Sequence, residues 1–219
     1  MLKAITTGCI ILLFISCKKE NKPQLSEATY RITVTGKWQM PQFGVPNNVH
    51  FTYFAGMVHN SNSWLWKAGS KASLGIKNLA ETGGLTQIIQ ETDSIIYQKN
   101  SIEHIAFPPP SALGSVSSNV YCNSDYSYVS FASMIAPTPD WFIGINSLNL
   151  YNSNQWVQDT LLNLYVHDAG TKDGDAFSMT GPATMPQQPI MLQTPSNATV
   201  LANGNATLAP IATVRFTKL

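Results

Sequence analysis

Charge is scarce in this chain. Its 219 residues include 13 Lys and Arg and 12 Asp and Glu, and only 11% are charged. A formal net charge of +1 leaves no basic footprint for nucleic acid, and no basic amphipathic stripe suits an anionic lipid surface. Cysteine is equally sparse, at three residues, so a disulfide-stapled scaffold is excluded. The four histidines, His50, His59, His104 and His167, form no His-Glu-x-x-His pattern, which leaves a zinc hydrolase without its usual ligand spacing. There is no Gly-x-Ser-x-Gly elbow for a serine nucleophile and no phosphate-cradling glycine motif. No internal repeat is present, and the apolar run Ile10 to Ile15 is too short to span a bilayer as a helix. These absences argue against an enzyme and leave a neutral binding or structural module as the expectation.

The N-terminus carries an address. Lys3 precedes Ile10–Ile15, then Ser16-Cys17 and the polar run Lys18-Lys19-Glu20-Asn21-Lys22. A positive start, a short apolar core and a small residue at the junction describe a secretory signal. Ending that core on Ser-Cys resembles a bacterial lipobox, with Phe14 where leucine is usual. The resemblance implies that residues 1–16 are removed, that Cys17 is acylated, and that residues 17–27 tether a domain of residues 28–219. It further implies an outer-membrane lipoprotein, periplasmic or surface-exposed, held to the membrane by its lipid. Loss of Lys3 balances the chain at 12 cations and 12 anions. Cys122 is then the one cysteine left in the domain, expected as a small buried hydrophobe.

The body reads as strands with one helical interlude. Tyr30 to Thr35 alternates with period two and is rich in β-branched residues. Strands are also expected over Val49–Met57, Tyr126–Ile135, Trp141–Leu150, Trp156–Val166 and Ile211–Thr217. Ala72, Leu74, Ile76 and Leu79-Ala80 suit a helix stopped at Gly83-Gly84, with a further short helical turn from Leu85 to Glu91. Phe107 to Asn119, with Pro108-Pro109-Pro110, reads as a long exposed loop. Short strands punctuated by Gly, Pro and Asn point to an antiparallel β-sandwich.

Two turn segments hold the candidate chemistry. Pro137-Thr138-Pro139-Asp140 runs into Trp141-Phe142-Ile143-Gly144, and Asp168-Ala169-Gly170-Thr171-Lys172-Asp173-Gly174-Asp175 follows later. Carboxylates gathered with turn carbonyls at one end of a sandwich are what Ca²⁺ requires, which makes Asp140, Asp168, Asp173 and Asp175 the candidate ligands. The competing reading of Asp140 is a turn cap that accepts backbone N–H bonds. Asp140 and Asp168 could also reach the separation a glycosidase needs, but the sequence shows no sugar groove between them. Trp64 and Trp66 are candidates for stacking on a sugar, against a competing role in core packing. For His59 the favoured role is a buried imidazole bonded to the backbone.

Distinctive words recur in order along the chain, beginning with Tyr30-Arg31-Ile32, Gly36-Lys37-Trp38 and Gly56-Met57-Val58-His59-Asn60. They continue through Leu65-Trp66-Lys67-Ala68-Gly69 and Leu79-Ala80-Glu81-Thr82-Gly83, then the two turn segments and Pro210-Ile211-Ala212-Thr213-Val214. Together they resemble the spondin N-terminal (F-spondin, FS) domain family over nearly all of residues 28–219. The resemblance implies an all-β, C2-like sandwich of about eight strands, with a short helical insertion near residues 71–92 and a calcium site among its end loops. It implies adhesion, since animal members belong to matrix proteins that bind receptors, glycans or bacterial surfaces. The family's metal loop reads Asp-Ala-Gly-Thr-Asp-Ser-Gly, so here Lys172 replaces its second aspartate. Either Asp173 or Asp175 swings into the vacated place, or the Lys172 ammonium neutralises Asp140 and Asp168 without metal. The expected protein is a monomer that recognises an extracellular protein or glycan through its end loops; an envelope scaffold is the alternative.

Overall fold

Alternation in Glu27–Gly36 places Tyr30, Ile32 and Val34 in the interior and leaves Arg31 exposed between them. That strand, β1, is the first element of a computed structural model that describes residues 25–38, 48–197, 199–202 and 204–219. It is followed by β2 (His50–Phe51), β3 (Phe54–His59), α1 (Leu74–Thr82), α2 (Thr86–Tyr97), β4 (Ser101–Phe107) and β5 (Ser115–Asn123). Next come β6 (Tyr128–Ala136), β7 (Trp141–Asn149), β8 (Tyr151–Asn152), β9 (Gln155–Trp156) and β10 (Asp159–Leu164). The last are β11 (His167–Asp168), β12 (Met191–Leu192), α3 (Thr199–Ala202) and β13 (Ala212–Lys218). Eight strands have six or more residues, as the sandwich reading expects, and the other five are two-residue pairings.

Apart from the separate β8-β9 pair, the strands form two antiparallel layers. One has the order β10-β13-β1-β5; the other runs β12-β11-β7-β6-β3-β4, with β2 beside β6. Their inner faces meet in a core that includes Tyr30, Ile32, Phe54, Phe131, Trp141 and Phe216. The two helices cover the outer face of the second sheet, where Ile76, Leu79 and Ile88 pack on Met57, Ala132 and Phe142. Cover on both faces explains why β3 and β6 read as nearly continuous apolar runs rather than alternating ones.

The helical insertion is set by local chemistry. Ser73 caps α1 by accepting the Ile76 N–H, and Gly83 ends it in the left-handed region at φ 71°. A side chain at Gly83 would also meet Thr52 at 2.6 Å. Glu91 of α2 then accepts the Gly75 N–H and the Ser73 hydroxyl, both at 2.7 Å, so one helix caps the other. The second helix runs to Tyr97, well past the short turn expected from the sequence.

Two other expectations need correction. The predicted strand Val49–Met57 is two, because the register against β6 slips by one residue at Thr52-Tyr53. Thr52 fills the gap, its hydroxyl accepting the Met134 N–H and its carbonyl accepting the Ser133 hydroxyl. His50 and His59 therefore lie on different strands. The loop expected over Phe107–Asn119 shrinks to residues 108–114, since Ser115–Asn119 pair with Arg31–Thr35 as the start of β5. Two ladder contacts between hydroxyls, Thr33 with Ser117 and Thr35 with Ser115 at 2.8 Å, reward a strand of serines there.

Candidate functional site at the end of the sandwich

The approach to β7 is built as a tight turn. Thr138 donates its hydroxyl to the Ile135 carbonyl and accepts the Trp141 N–H, which delivers Asp140 into the interior with no exposed surface. Antiparallel pairing sets Asp168 of β11 opposite Trp141, so the two turn segments meet. The Asp140 carboxylate then gathers the second loop. One oxygen, Oδ2, accepts the Thr171 N–H (2.7 Å), the Thr171 hydroxyl (3.1 Å) and the Lys172 N–H (3.0 Å). Asp140 is thus a cap, as its competing reading held, but for the neighbouring loop instead of its own turn. Its other oxygen, Oδ1, is buried with no partner among the described residues.

Asp168 is held from both sides. Oδ1 accepts the Gly170 N–H at 2.6 Å, and Oδ2 accepts the Gln193 side-chain amide at 3.0 Å. Gly170 sits at φ 69°, and a side chain there would strike the Gln188 carbonyl at 2.3 Å, so the loop admits only glycine. Burial and the neighbouring Asp140 charge push the Asp168 carboxyl up to about 6, and burial likewise raises Asp140. The Trp141 indole N–H is close enough to Asp168 to oppose that rise, though it lacks the alignment of a full hydrogen bond. The two carboxylates repel each other, and Asp140 Oδ1 and Gln193 Oε1 have no partner among the described residues; these are the oxygens a hard cation would draw on if one bound here.

The outer members of the expected quartet stand elsewhere. Asp173 and Asp175 are exposed on the rim of an open cleft of about 460 Å³, which Asp168, Gly170, Gln188 and Met191 also line. Asp173 is engaged by the Thr184 hydroxyl. Among the described residues, no three carboxylate, imidazole or thiol side chains converge on one point. A calcium ion here would therefore take two carboxylates, Asp140 and Asp168, and fill its shell with amide and backbone oxygens and water. The Lys172 ammonium does not face that pair. It donates to the Met179 carbonyl (3.2 Å) and lies 3.9 Å from Glu81 of α1. The metal-free arrangement in which Lys172 neutralises Asp140 and Asp168 is not the one the chain adopts.

Other candidates separate cleanly. Trp66 is buried, set edge-on to Phe142 and His167 at 5.1 and 4.9 Å, and its indole N–H donates to the Phe131 carbonyl. That packing leaves no face for a sugar, so Trp66 is a core residue. Trp64, 56% exposed, keeps its face open. His59 is fully buried between the Asn60 carbonyl (2.7 Å) and the Ser130 hydroxyl (2.8 Å), and burial lowers its pKa. Cys122 is buried and its thiol is pushed up to about 12 by desolvation, an inert thiol. Cys17 lies outside the described residues. Sequence reading missed Gln193, Thr171 and Glu81; a lone glutamine in a Met-Leu-Gln-Thr stretch carries no motif that would reveal it.

The site sits at a defined end of the molecule. Trp38, just beyond the Gly36 end of β1, packs on Phe177, which in turn packs on Trp141. Glu27 is therefore at the opposite end of a ten-residue strand, roughly 30 Å away. Among the described residues, no helix is long and apolar enough to cross a membrane.

Comparison with known proteins places this geometry in context. A family model described as Spondin_N matches residues 28–203. Spondin-2 of Rattus norvegicus is 34% identical over 206 residues, covering 88% of this chain and 62% of the relative. Spondin-2 of Homo sapiens is 32% identical over the same span. Spondin-1 of Gallus gallus is 29% identical over 172 residues, or 74% of this chain and 21% of the relative. The chain thus spans less than two thirds of the length of the curated relatives it matches.

Proposed function

The chain belongs to the spondin N-terminal domain family, and from that premise we propose that it is an extracytoplasmic binding module anchored by a lipid on Cys17. The reading is of adhesion and not catalysis: the cleft beside Asp168 receives a protein or glycan partner, and calcium held by Asp140 and Asp168 stiffens the loops that form it. The observation that carries this reading is a pair of carboxylates, the buried Asp140 with one oxygen that has no partner among the described residues and the half-buried Asp168 that lines an open cleft. A bound cation would relieve the repulsion between the two and lower the ordering cost of partner binding; it would do no chemistry on the partner. With the tether joined at the Glu27 end, the cleft lies at the end of the domain remote from the anchor. The outer membrane is the proposed location; the lipobox resemblance supports the lipid anchor itself.

Thermal unfolding of the full chain carrying Cys17→Ser, in EGTA and across a calcium titration to several millimolar, tests the metal. A ligand specific to the folded state at tenfold saturation adds about 1.4 kcal/mol, which moves the midpoint by roughly 3–6 °C. A shift that calcium produces, magnesium does not, and Asp168→Asn abolishes supports the reading. No shift at any concentration leaves the sandwich as a metal-free surface or an envelope scaffold.

A further inference from the structure

The two edges of the four-stranded sheet are finished differently. At β5, the Glu103 carboxylate reaches over from β4 and accepts the outward Tyr121 N–H at 3.0 Å. At the other edge, β10 bonds to β13 through its even-numbered positions: Thr160 is set against Phe216 and Leu162 against Val214, and Lys218 N–H donates to the Gln158 carbonyl. The backbone groups of Asp159, Leu161 and Asn163 therefore point away from the sheet. Among the described residues, no strand pairs with that edge. All three side chains are exposed, and Leu161 is 61% exposed. These six residues contain no Pro, Lys or bulge, and their one charged side chain, Asp159, is tied to Arg215 of β13, so little keeps this edge solitary.

We propose that this edge is closed by the same edge of a second copy, paired antiparallel and centred on Leu161, in place of the monomer expected from the sequence. The strand is self-complementary in that register. Leu161 meets Leu161 of the second copy, an apolar cross-strand pair, and Asp159 meets Asn163 of the second copy on both sides. The three pairs exchange about six N–H···O bonds, which satisfies every outward backbone group of the segment. Centring on Asp159 instead would oppose two carboxylates. Asp159 is already balanced on its own chain by Arg215, at 2.7 and 2.9 Å, and by the Thr217 hydroxyl, so pairing buries no uncompensated charge. An unrelated extended peptide would have to supply a leucine flanked by matching polar groups, which the second copy does by symmetry. The two-fold axis of such a pair sends the two β1 strands in opposite directions, so their Glu27 ends emerge at opposite ends of the dimer. Copies anchored on facing surfaces would meet in this way; dimerisation itself needs no anchor.

Sedimentation velocity on the full chain carrying Cys17→Ser, up to about 300 µM, should show a reversible dimer with Kd in the micromolar range. Leu161→Lys should weaken it at least tenfold. With Cys9→Ser added, Leu161→Cys should form an interchain disulfide on mild oxidation, whereas Asn163→Cys, which faces Asp159, should not; the buried Cys122 is too inaccessible to compete. Because the cysteine variant keeps the strand's shape, it decides the matter even if the lysine variant folds poorly. A chain that remains monomeric over the whole range with no Leu161→Cys cross-link overturns the proposal, as does a dimer that Leu161→Lys leaves intact.

Discussion

Two pairs of aspartates within one end of the sandwich have opposite physics. Asp140 is fully and Asp168 half withdrawn from water; both accept backbone N–H groups and are raised in pKa by burial, with Asp140's charge adding to the rise of Asp168. Asp173 and Asp175, a few residues along the same loop, are exposed on the cleft rim. The difference divides the acidic residues of this end into two that hold backbone N–H groups and two on the rim. The loop's first carboxylate is architecture with latent charge, and the later two are surface. Position relative to the Thr138 turn decides which is which, because that turn drives Asp140 under the loop and leaves the rest outside.

Removing the buried acceptor should produce the largest effect. Asp140→Ala would leave the Thr171 N–H, the Lys172 N–H and the Thr171 hydroxyl without their acceptor. A buried network of this kind is worth about 3 kcal/mol, or roughly 6–12 °C in a domain of this size. Asp140→Asn retains an acceptor oxygen and sheds the repulsion with Asp168, so in EGTA it should melt close to the parent. If both variants melt alike, the carboxylate's charge and not its accepting geometry holds the loop, and the architectural reading fails.

Much of this contrast was legible in the sequence, and the remainder was hidden for identifiable reasons. The alternation of Tyr30, Ile32 and Val34, the glycine stop at Gly83 and the apolar run of β6 each follow from one chemical preference acting locally, and each was found where expected. Ser115–Asn119 was mistaken for loop because a strand of serines is favoured only by a partner's hydroxyls, here Thr33 and Thr35, about 80 residues earlier. The pairing of Asp140 with Asp168 could be anticipated from two turn motifs. Their separation from Asp173 and Asp175 could not, since it depends on how far the loop is drawn under by Asp140. Lys172 was weighed as a counter-charge at the site because its slot in the loop invited it, yet Glu81 on a helix 91 positions away competes for its ammonium.

The pH dependence of stability sharpens the same comparison at intermediate size. Asp168 rises from the ordinary 3.8 to about 6 in the fold, so between roughly pH 4 and 6 the native state holds more protons than the unfolded chain. Stability from this group is therefore present at low pH and lost as pH rises through that window, by on the order of 3 kcal/mol. His59 and His167, lowered by burial, act in the opposite sense and weaken the fold as pH falls below about 6.5. A single melting curve against pH would mix the two. The difference between parent and Asp168→Asn, measured in EGTA from pH 4 to 8, isolates the aspartate: the parent should lose stability relative to the variant as pH rises to about 6 and run parallel above it. Saturating calcium should flatten the difference below pH 6, because a cation holds the carboxylate ionised. Parallel curves throughout would mean that Asp168 is solvated like its neighbours on the rim.

The smallest effect belongs to the rim itself. Asp173→Asn and Asp175→Asn remove exposed charges whose loss should change stability by less than about 0.5 kcal/mol, within the ordinary range for surface positions. Asp173 does accept the Thr184 hydroxyl, and asparagine keeps an oxygen able to do the same. What the two substitutions should change is the field in the cleft. If Asp140 and Asp168 supply the direct contacts, calcium affinity should weaken only a few-fold, with the loss growing at low ionic strength as expected for unscreened charges at a distance. A loss of a hundredfold or more from either one would place that carboxylate in direct contact with the ion, and the division between buried architecture and solvated rim would have to be redrawn for the metal-bound state.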